Sequence, residues 1–164
     1  MYYFAYGSNM SSKRLNARVK AIKFANGKLL NHKLKFHKIS KDGSGKCDAF
    51  ETKDLNNFVL GVVYEIYENT LDTLDSFEGK GYGYDRKEVE ITLEDMTKIN
   101  AIIYYATKID DSLLPYDWYL KHVLFGAKEN RLEDNYINFI RGISSKKDKN
   151  ELREAKELSI YGLI

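Results

Sequence analysis

The sequence predicts an α+β domain built around one core, and three observations carry that expectation. Short runs rich in β-branched and aromatic residues fill the first two-thirds of the chain. Segments with helical spacing follow them, and neither a linker nor an internal repeat divides the 164 residues. Apolar residues make up 43% of the chain and charged residues 30%, enough for a sizeable core and too apolar for disorder. A single domain over 1–164 is expected, with the informative segments in 1–142 and a charged, helical tail over 143–164.

Each element has a local reason. Tyr2 to Tyr6 is an aromatic run that reads as a buried strand stopping at Gly7. Asn9 or Ser11 can cap a following helix that turns Leu15 and Val19 inward. Residues 28–38 alternate unevenly through Leu30, His32, Leu34, Phe36 and His37, and read as one strand. Gly43, Ser44 and Gly45 mark a flexible loop. Val59 to Tyr67 reads as a central strand, with Gly61 at a point of close packing. Thr70 can cap a short helix in which Leu71, Leu74 and Phe77 recur every third residue, and Gly79 ends it. The glycine-rich stretch 79–84 forms a mobile loop. Residues 87–93 alternate charged with apolar and pair with Ile99 to Ala106 as a hairpin. Pro115 precedes a helix that Asp117 can cap, with Tyr119, Val123 and Leu124 on its apolar stripe. Further helices run from Glu133 to Arg141, ending at Gly142, and from Glu151 to Leu158.

Several function classes are excluded. The 26 basic and 24 acidic residues leave a net charge of +2, and the run Lys146, Lys147, Lys149 is interrupted by Asp148 and followed by Glu151. A nucleic-acid partner is therefore not expected. The chain lacks the basic and apolar regions of a secretory signal, and no stretch approaches the ~20 apolar residues of a membrane span. Cys47 is the one cysteine, which fits a reducing compartment and makes the cytoplasm the expected location. His32, His37 and His122 have no partners at metal-ligand spacing, so no metal is expected. No phosphate-binding loop occurs, and no helix follows Gly79, Gly81 and Gly83 to receive a phosphate. His122 is expected on the surface or at an interface, and Cys47 in a structural role.

Two segments could carry chemistry. Tyr6-Gly7-Ser8-Asn9-Met10 breaks a strand at glycine and enters a helix, a junction that offers free backbone N–H groups to a carboxylate. Leu74-Asp75-Ser76-Phe77-Glu78-Gly79 places Glu78 at a helix carboxyl end, after an apolar residue expected to be buried. Both surroundings disfavour the charged form and raise the pKa of a carboxylate toward that of a general base.

Together these segments resemble the γ-glutamylcyclotransferase family. Tyr3-Phe4-Ala5-Tyr6-Gly7-Ser8-Asn9-Met10 looks like its N-terminal substrate loop, and 74–79 resembles the segment with its catalytic glutamate. Tyr84 also fits the pattern. Pro115 and Tyr119, followed by Gly126-Ala127-Lys128-Glu129-Asn130-Arg131-Leu132, resemble the family's C-terminal helical segment. Order and spacing agree over residues 1 to about 140, while the loop after Glu78 differs in length and the tail carries no family motif.

The resemblance implies a small mixed β-barrel with helices packed around it. It also implies a cofactor-free reaction in which the substrate's own α-amine attacks its γ-amide carbonyl, releasing 5-oxoproline and an amine. Glu78 would be the base and returning acid. Tyr3, Phe4, Ala5, Tyr6, Gly7, Ser8 and Asn9 would bind the glutamyl end, Tyr84 would wall the pocket, and Tyr119 would supply a binding hydroxyl. The expected partner is a small γ-glutamyl molecule, without nucleic acid or membrane, and a homodimer stays open. The leading substrate class is a γ-glutamyl amino acid. Relatives acting on γ-glutamylamines tend to carry Tyr-Gly-Thr-Leu where this chain has Tyr6-Gly7-Ser8-Asn9. A γ-glutamylamine or another γ-glutamylated metabolite is the alternative, and a non-catalytic binding module is a third reading.

Overall fold

The computed structural model describes residues 1–162. In chain order these form β1 (Tyr2–Ala5), α1 (Ser12–Asn16), β2 (Ala21–Leu30), β3 (His32–Ile39), β4 (Gly45–Glu51) and β5 (Phe58–Ile66). There follow α2 (Leu71–Glu78), β6 (Tyr84–Leu93), β7 (Lys98–Ala106), α3 (Asp117–Glu129), α4 (Asp134–Arg141) and α5 (Glu151–Leu158). Five strands close a barrel in the order β1-β5-β2-β6-β7. The pairings are antiparallel except where β1 meets β7, with Tyr3 opposite Ile102, so the barrel is mixed as expected. No helix among the described residues is long and apolar enough to cross a membrane.

A barrel this small leaves room only for side chains. Phe4, Val63 and Ile91 are wholly buried, and two glycines let them meet. A Cβ on Gly27 would lie 2.5 Å from Ile91 Cγ2, and one on Gly61 only 2.4 Å from the Ala5 carbonyl oxygen. Gly61 thus marks the close approach expected of it.

The one strand expected over 28–38 is two. Asn31 adopts φ 60° and turns the chain at once, so β2 and β3 diverge into different sheets. β3 pairs with β4, a strand the sequence reading passed over, and Gly45 is its first residue. There a Cβ would fall 2.0 Å from the Phe36 carbonyl oxygen. This small sheet is tied to the barrel where the Ala106 N–H donates to Asp48 Oδ1 at 2.8 Å.

The helices fit the sequence more closely. α2 ends at Gly79 in the left-handed conformation (φ 72°), and α4 and α5 lie where expected. α1 is short: a 3₁₀ turn over Ser8–Met10 precedes it, and the capping residue is Ser11, whose Oγ accepts from Arg14 N–H. Tyr116 caps α3 without a side-chain bond, while Asp117 accepts from Ser145 Oγ at 2.6 Å.

His122 is not on the surface. It is wholly buried on α3, where Nδ1 lies 2.8 Å from the Tyr161 hydroxyl and Nε2 lies 3.2 Å from Glu157 Oε2. Arg14 Nη1, which can only donate, also lies 3.0 Å from Nε2, so that nitrogen faces a donor and an acceptor at once; burial lowers the pKa of the ring, favouring its neutral form. The Glu157 carboxyl is held down to about 2, by the His122 hydrogen bond first and by Arg14, whose Nη1 lies 2.6 Å away. A depressed carboxyl stabilises the fold above its unfolded pKa. The contribution is lost as pH falls from about 4.5 toward 2. Glu157→Gln is therefore expected to be less stable than wild type at pH 6 and to converge with it near pH 2, read by denaturant melts across that range. A constant difference would contradict the assignment.

Candidate active site

The barrel brings together segments that lie far apart in the chain. The turn after β1, the carboxyl end of α2, the first residue of β6, Tyr104 of β7, Cys47 of β4 and Tyr119 of α3 surround a small cleft.

Glu78 is fixed by one of its two oxygens. Its Oε1 accepts from Asn9 Nδ2 at 2.7 Å and from Arg18 Nη1 at 2.8 Å. Arg18 also donates to Asn9 Oδ1 at 3.0 Å, closing a triangle, and Asn9 Nδ2 reaches the Tyr3 hydroxyl at 3.1 Å. Glu78 Oε2 has no hydrogen-bond partner among the described residues, yet it is not a buried orphan. The carboxylate is thus anchored on one oxygen and open on the other.

These surroundings differ from those expected. Phe77 is 53% exposed and does not enclose the carboxylate, because it points outward from α2. The dominant neighbour is instead the guanidinium of Arg18, whose Nη1 lies 2.8 Å from Oε1. Sequence reasoning missed Arg18. It lies nine residues beyond Asn9 and sixty before Glu78, a separation that follows no local spacing rule.

Five buried tyrosines and one thiol complete the wall. The Tyr119 hydroxyl accepts from the Cys47 N–H at 3.1 Å, the Tyr84 hydroxyl donates to the Cys47 carbonyl, and the Tyr6 hydroxyl donates to the Tyr104 carbonyl. Burial is the first cause that raises all three of these hydroxyls above the usual tyrosine range, so they stay neutral. Tyr3 is raised likewise, by burial and then by the Glu78 charge. Burial pushes the Cys47 thiol up to about 12, which leaves it an unreactive wall residue, consistent with its expected structural role. Gly7 packs tightly here, since a Cβ would lie 3.0 Å from Cys47 Cβ.

Of the expected residues, Tyr3, Tyr6, Gly7, Ser8, Asn9 and Tyr84, with Glu78 and Tyr119, line the cleft. Phe4 and Ala5 do not line it. Strand alternation sends the Phe4 ring into the barrel interior beside Gly61, and the Ala5 carbonyl faces Gly61 as well. Tyr104 lines the cleft and was not anticipated; its hydroxyl donates to Asp75 Oδ1 at 2.6 Å. Asp75 also pairs with Arg86 at 2.9 Å, which fixes α2 one turn before Glu78. The N–H groups of Ser8 and Asn9 make no hydrogen bond among the described residues. No cluster of potential metal ligands occurs among the described residues.

A closed mixed barrel that holds one anchored carboxylate among neutral hydroxyls defines an enzyme that moves protons on a small molecule. Residues 58–140 match the AIG2-like family. The chain is 30% identical over 162 residues to the γ-glutamylcyclotransferase of Bos taurus, covering 94% of this chain and 85% of that one. It is 31% identical over 148 residues to the γ-glutamylcyclotransferase of Homo sapiens, covering 86% and 77%. A solved γ-glutamyl cyclotransferase structure superposes with a TM-score of 0.90 at 28% identity, covering 99% of each chain. The chain belongs to the γ-glutamylcyclotransferase family.

Proposed function

We propose that this chain converts a γ-glutamyl amino acid into 5-oxoproline and the free amino acid, with Glu78 as the base. The observation that carries this reading is the asymmetry of Glu78: Oε1 is held by Asn9 and Arg18, while Oε2 is free to accept a proton within the cleft.

The substrate's α-ammonium has a pKa near ~8 and attacks only after losing a proton. Glu78 Oε2 takes it. The amine nitrogen then bonds to the γ-carbonyl carbon, the ring closes, and the bond from that carbon to the leaving nitrogen breaks. Glu78 returns that proton to the leaving nitrogen, and the second proton shed by the attacking nitrogen as it becomes the lactam N–H completes the departing ammonium, so the enzyme ends unchanged. The attack is intramolecular, and the main task of the protein is to hold the glutamyl chain bent. The unused N–H groups of Ser8 and Asn9 are suited to the glutamyl α-carboxylate. The neutral hydroxyl of Tyr119 is suited to the γ-carbonyl oxygen as it gains charge, as an uncharged donor in a dry wall would be.

Arg18 and Asn9 act through Glu78 and are positioning residues. The cytoplasm is the compartment this reading assigns, from the single buried thiol. Incubation with a panel of γ-glutamyl dipeptides and γ-glutamylamines, scored by 5-oxoproline, tests the reading. Release from at least one dipeptide is expected, and release from none of the panel would contradict it.

A further inference from the structure

Two lysines lie against tyrosines that line the cleft, and they differ in one respect. Lys46 Nζ lies 4.6 Å from the centroid of the Tyr119 ring, and its charge is already answered by Asp42 at 2.8 Å. Lys38 Nζ lies 4.6 Å from the centroid of the Tyr84 ring, is half-buried, and meets no hydrogen-bond acceptor or carboxylate at ion-pair distance among the described residues. A ring face attracts an ammonium but leaves most of its N–H groups unsatisfied.

The backbone places Lys38 there by specific means. The register between β3 and β4 shifts between Lys35 and Lys38, so Phe36 and His37 are both buried and the alternation of the strand is broken. Such a bulge re-aims the side chains that follow it. On the other side Gly83, at φ 156°, leaves the space that Lys38 fills: a Cβ there would lie 2.8 Å from Lys38 Cε. Tyr84 cannot swing away, because its hydroxyl is tied to the Cys47 carbonyl. The ammonium is therefore held beside Gly83 and against the Tyr84 ring, next to the residues that line the cleft of Glu78 rather than among them. Burial lowers its pKa, and the Glu78 charge is the first influence opposing that.

We infer that Lys38 binds the carboxylate of the departing amino acid, which makes it the residue that selects γ-glutamyl amino acids over γ-glutamylamines. This rests on the proposed reaction. The glutamyl end must reach Glu78 and the turn at Ser8, so the leaving group extends outward toward Tyr84. An amino acid there carries a carboxylate that an unpaired ammonium can take up, whereas a simple amine carries none.

The test compares wild type with Lys38→Met and Lys38→Arg on γ-glutamyl-alanine, γ-glutamyl-alaninamide and γ-glutamyl-ethylamine, with 5-oxoproline as the readout. A charge-assisted contact corresponds to about 10–100-fold. Wild type is expected to have a kcat/KM that much higher on γ-glutamyl-alanine than on the other two, mainly through KM. Lys38→Met, which keeps the stem over Tyr84, should lose that preference while turning over the ethylamine as wild type does. Lys38→Arg should keep most of it. Equal use of alanine and alaninamide compounds by wild type would overturn the inference without any variant. So would a Lys38→Met enzyme that loses activity equally on all three, the mark of a packing role alone. Release from none of the three by wild type would sink the parent reaction as well, whereas release with an unchanged preference in Lys38→Met would sink only the role of Lys38.

Discussion

Replacing Glu78 by glutamine is expected to lower kcat for 5-oxoproline release by about 10²–10⁴-fold, the usual worth of a general base. The amide keeps the size of the side chain and can still accept from Asn9 Nδ2 and Arg18 Nη1 through its one carbonyl oxygen. It offers no oxygen that takes a proton at neutral pH. KM should change little, because the open oxygen acts on the proton and is not the grip on the substrate. Stability should fall by about 1–3 kcal/mol, since the guanidinium of Arg18 loses its charged partner where both side chains are less than 20% exposed. A thermal melt run beside the assay separates the two effects. Near-normal release from a folded Glu78→Gln enzyme would remove Glu78 from the mechanism.

The second large effect comes from a residue that never touches substrate. α3 crosses the substrate turn at Gly126, where a Cβ would lie 2.5 Å from Met10 Cβ and 2.6 Å from the Ser11 backbone nitrogen. Backbone atoms cannot rotate aside as a long side chain can. Asn130 Nδ2 donates to the Met10 carbonyl at 2.9 Å, the Tyr64 hydroxyl donates to the same oxygen at 2.8 Å, and Glu129 Oε2 accepts from the Ser12 N–H at 3.1 Å. The segment Gly126 to Asn130 thus clamps the turn that carries Ser8 and Asn9. Gly126→Val must push α3 and the turn apart, at a cost of about 3 kcal/mol. Tm should fall by roughly 6–12 °C for a chain of this size. Because the turn moves, KM should rise even at temperatures where the variant stays folded. An unchanged Tm would contradict this packing.

That clamp explains why so much of the site could be read from sequence. The segments that resembled the family are the pieces that must meet: the turn, the glutamate at the helix end, and the helix that presses on the turn. Gly79 was legible as a helix stop because a left-handed residue there has few alternatives to glycine. Gly61 was legible for the same economy of space. What escaped depends on distant partners. Nothing beside Arg18 announces that it will meet Glu78. His122 reads as a surface residue until α5 lays Glu157 and Tyr161 against it. The turn at Asn31 hid two strands in one, because a single non-glycine residue in the left-handed region carries no strong local signal. Phe4 was assigned to the substrate with its neighbours, although a strand can turn only alternate side chains toward a cleft.

The central claim is intramolecular ring closure, and water labelled with heavy oxygen tests it most directly. Wild-type enzyme is incubated with γ-glutamyl-alanine in that water, and the products are weighed by mass spectrometry. Attack by the substrate's own amine gives 5-oxoproline and alanine in equal amounts, with no heavy oxygen in the ring product, and that is the result the site geometry predicts. Glutamate carrying one heavy oxygen on its side-chain carboxylate would mean that water, not the α-amine, attacks the γ-carbonyl, and the account would be wrong.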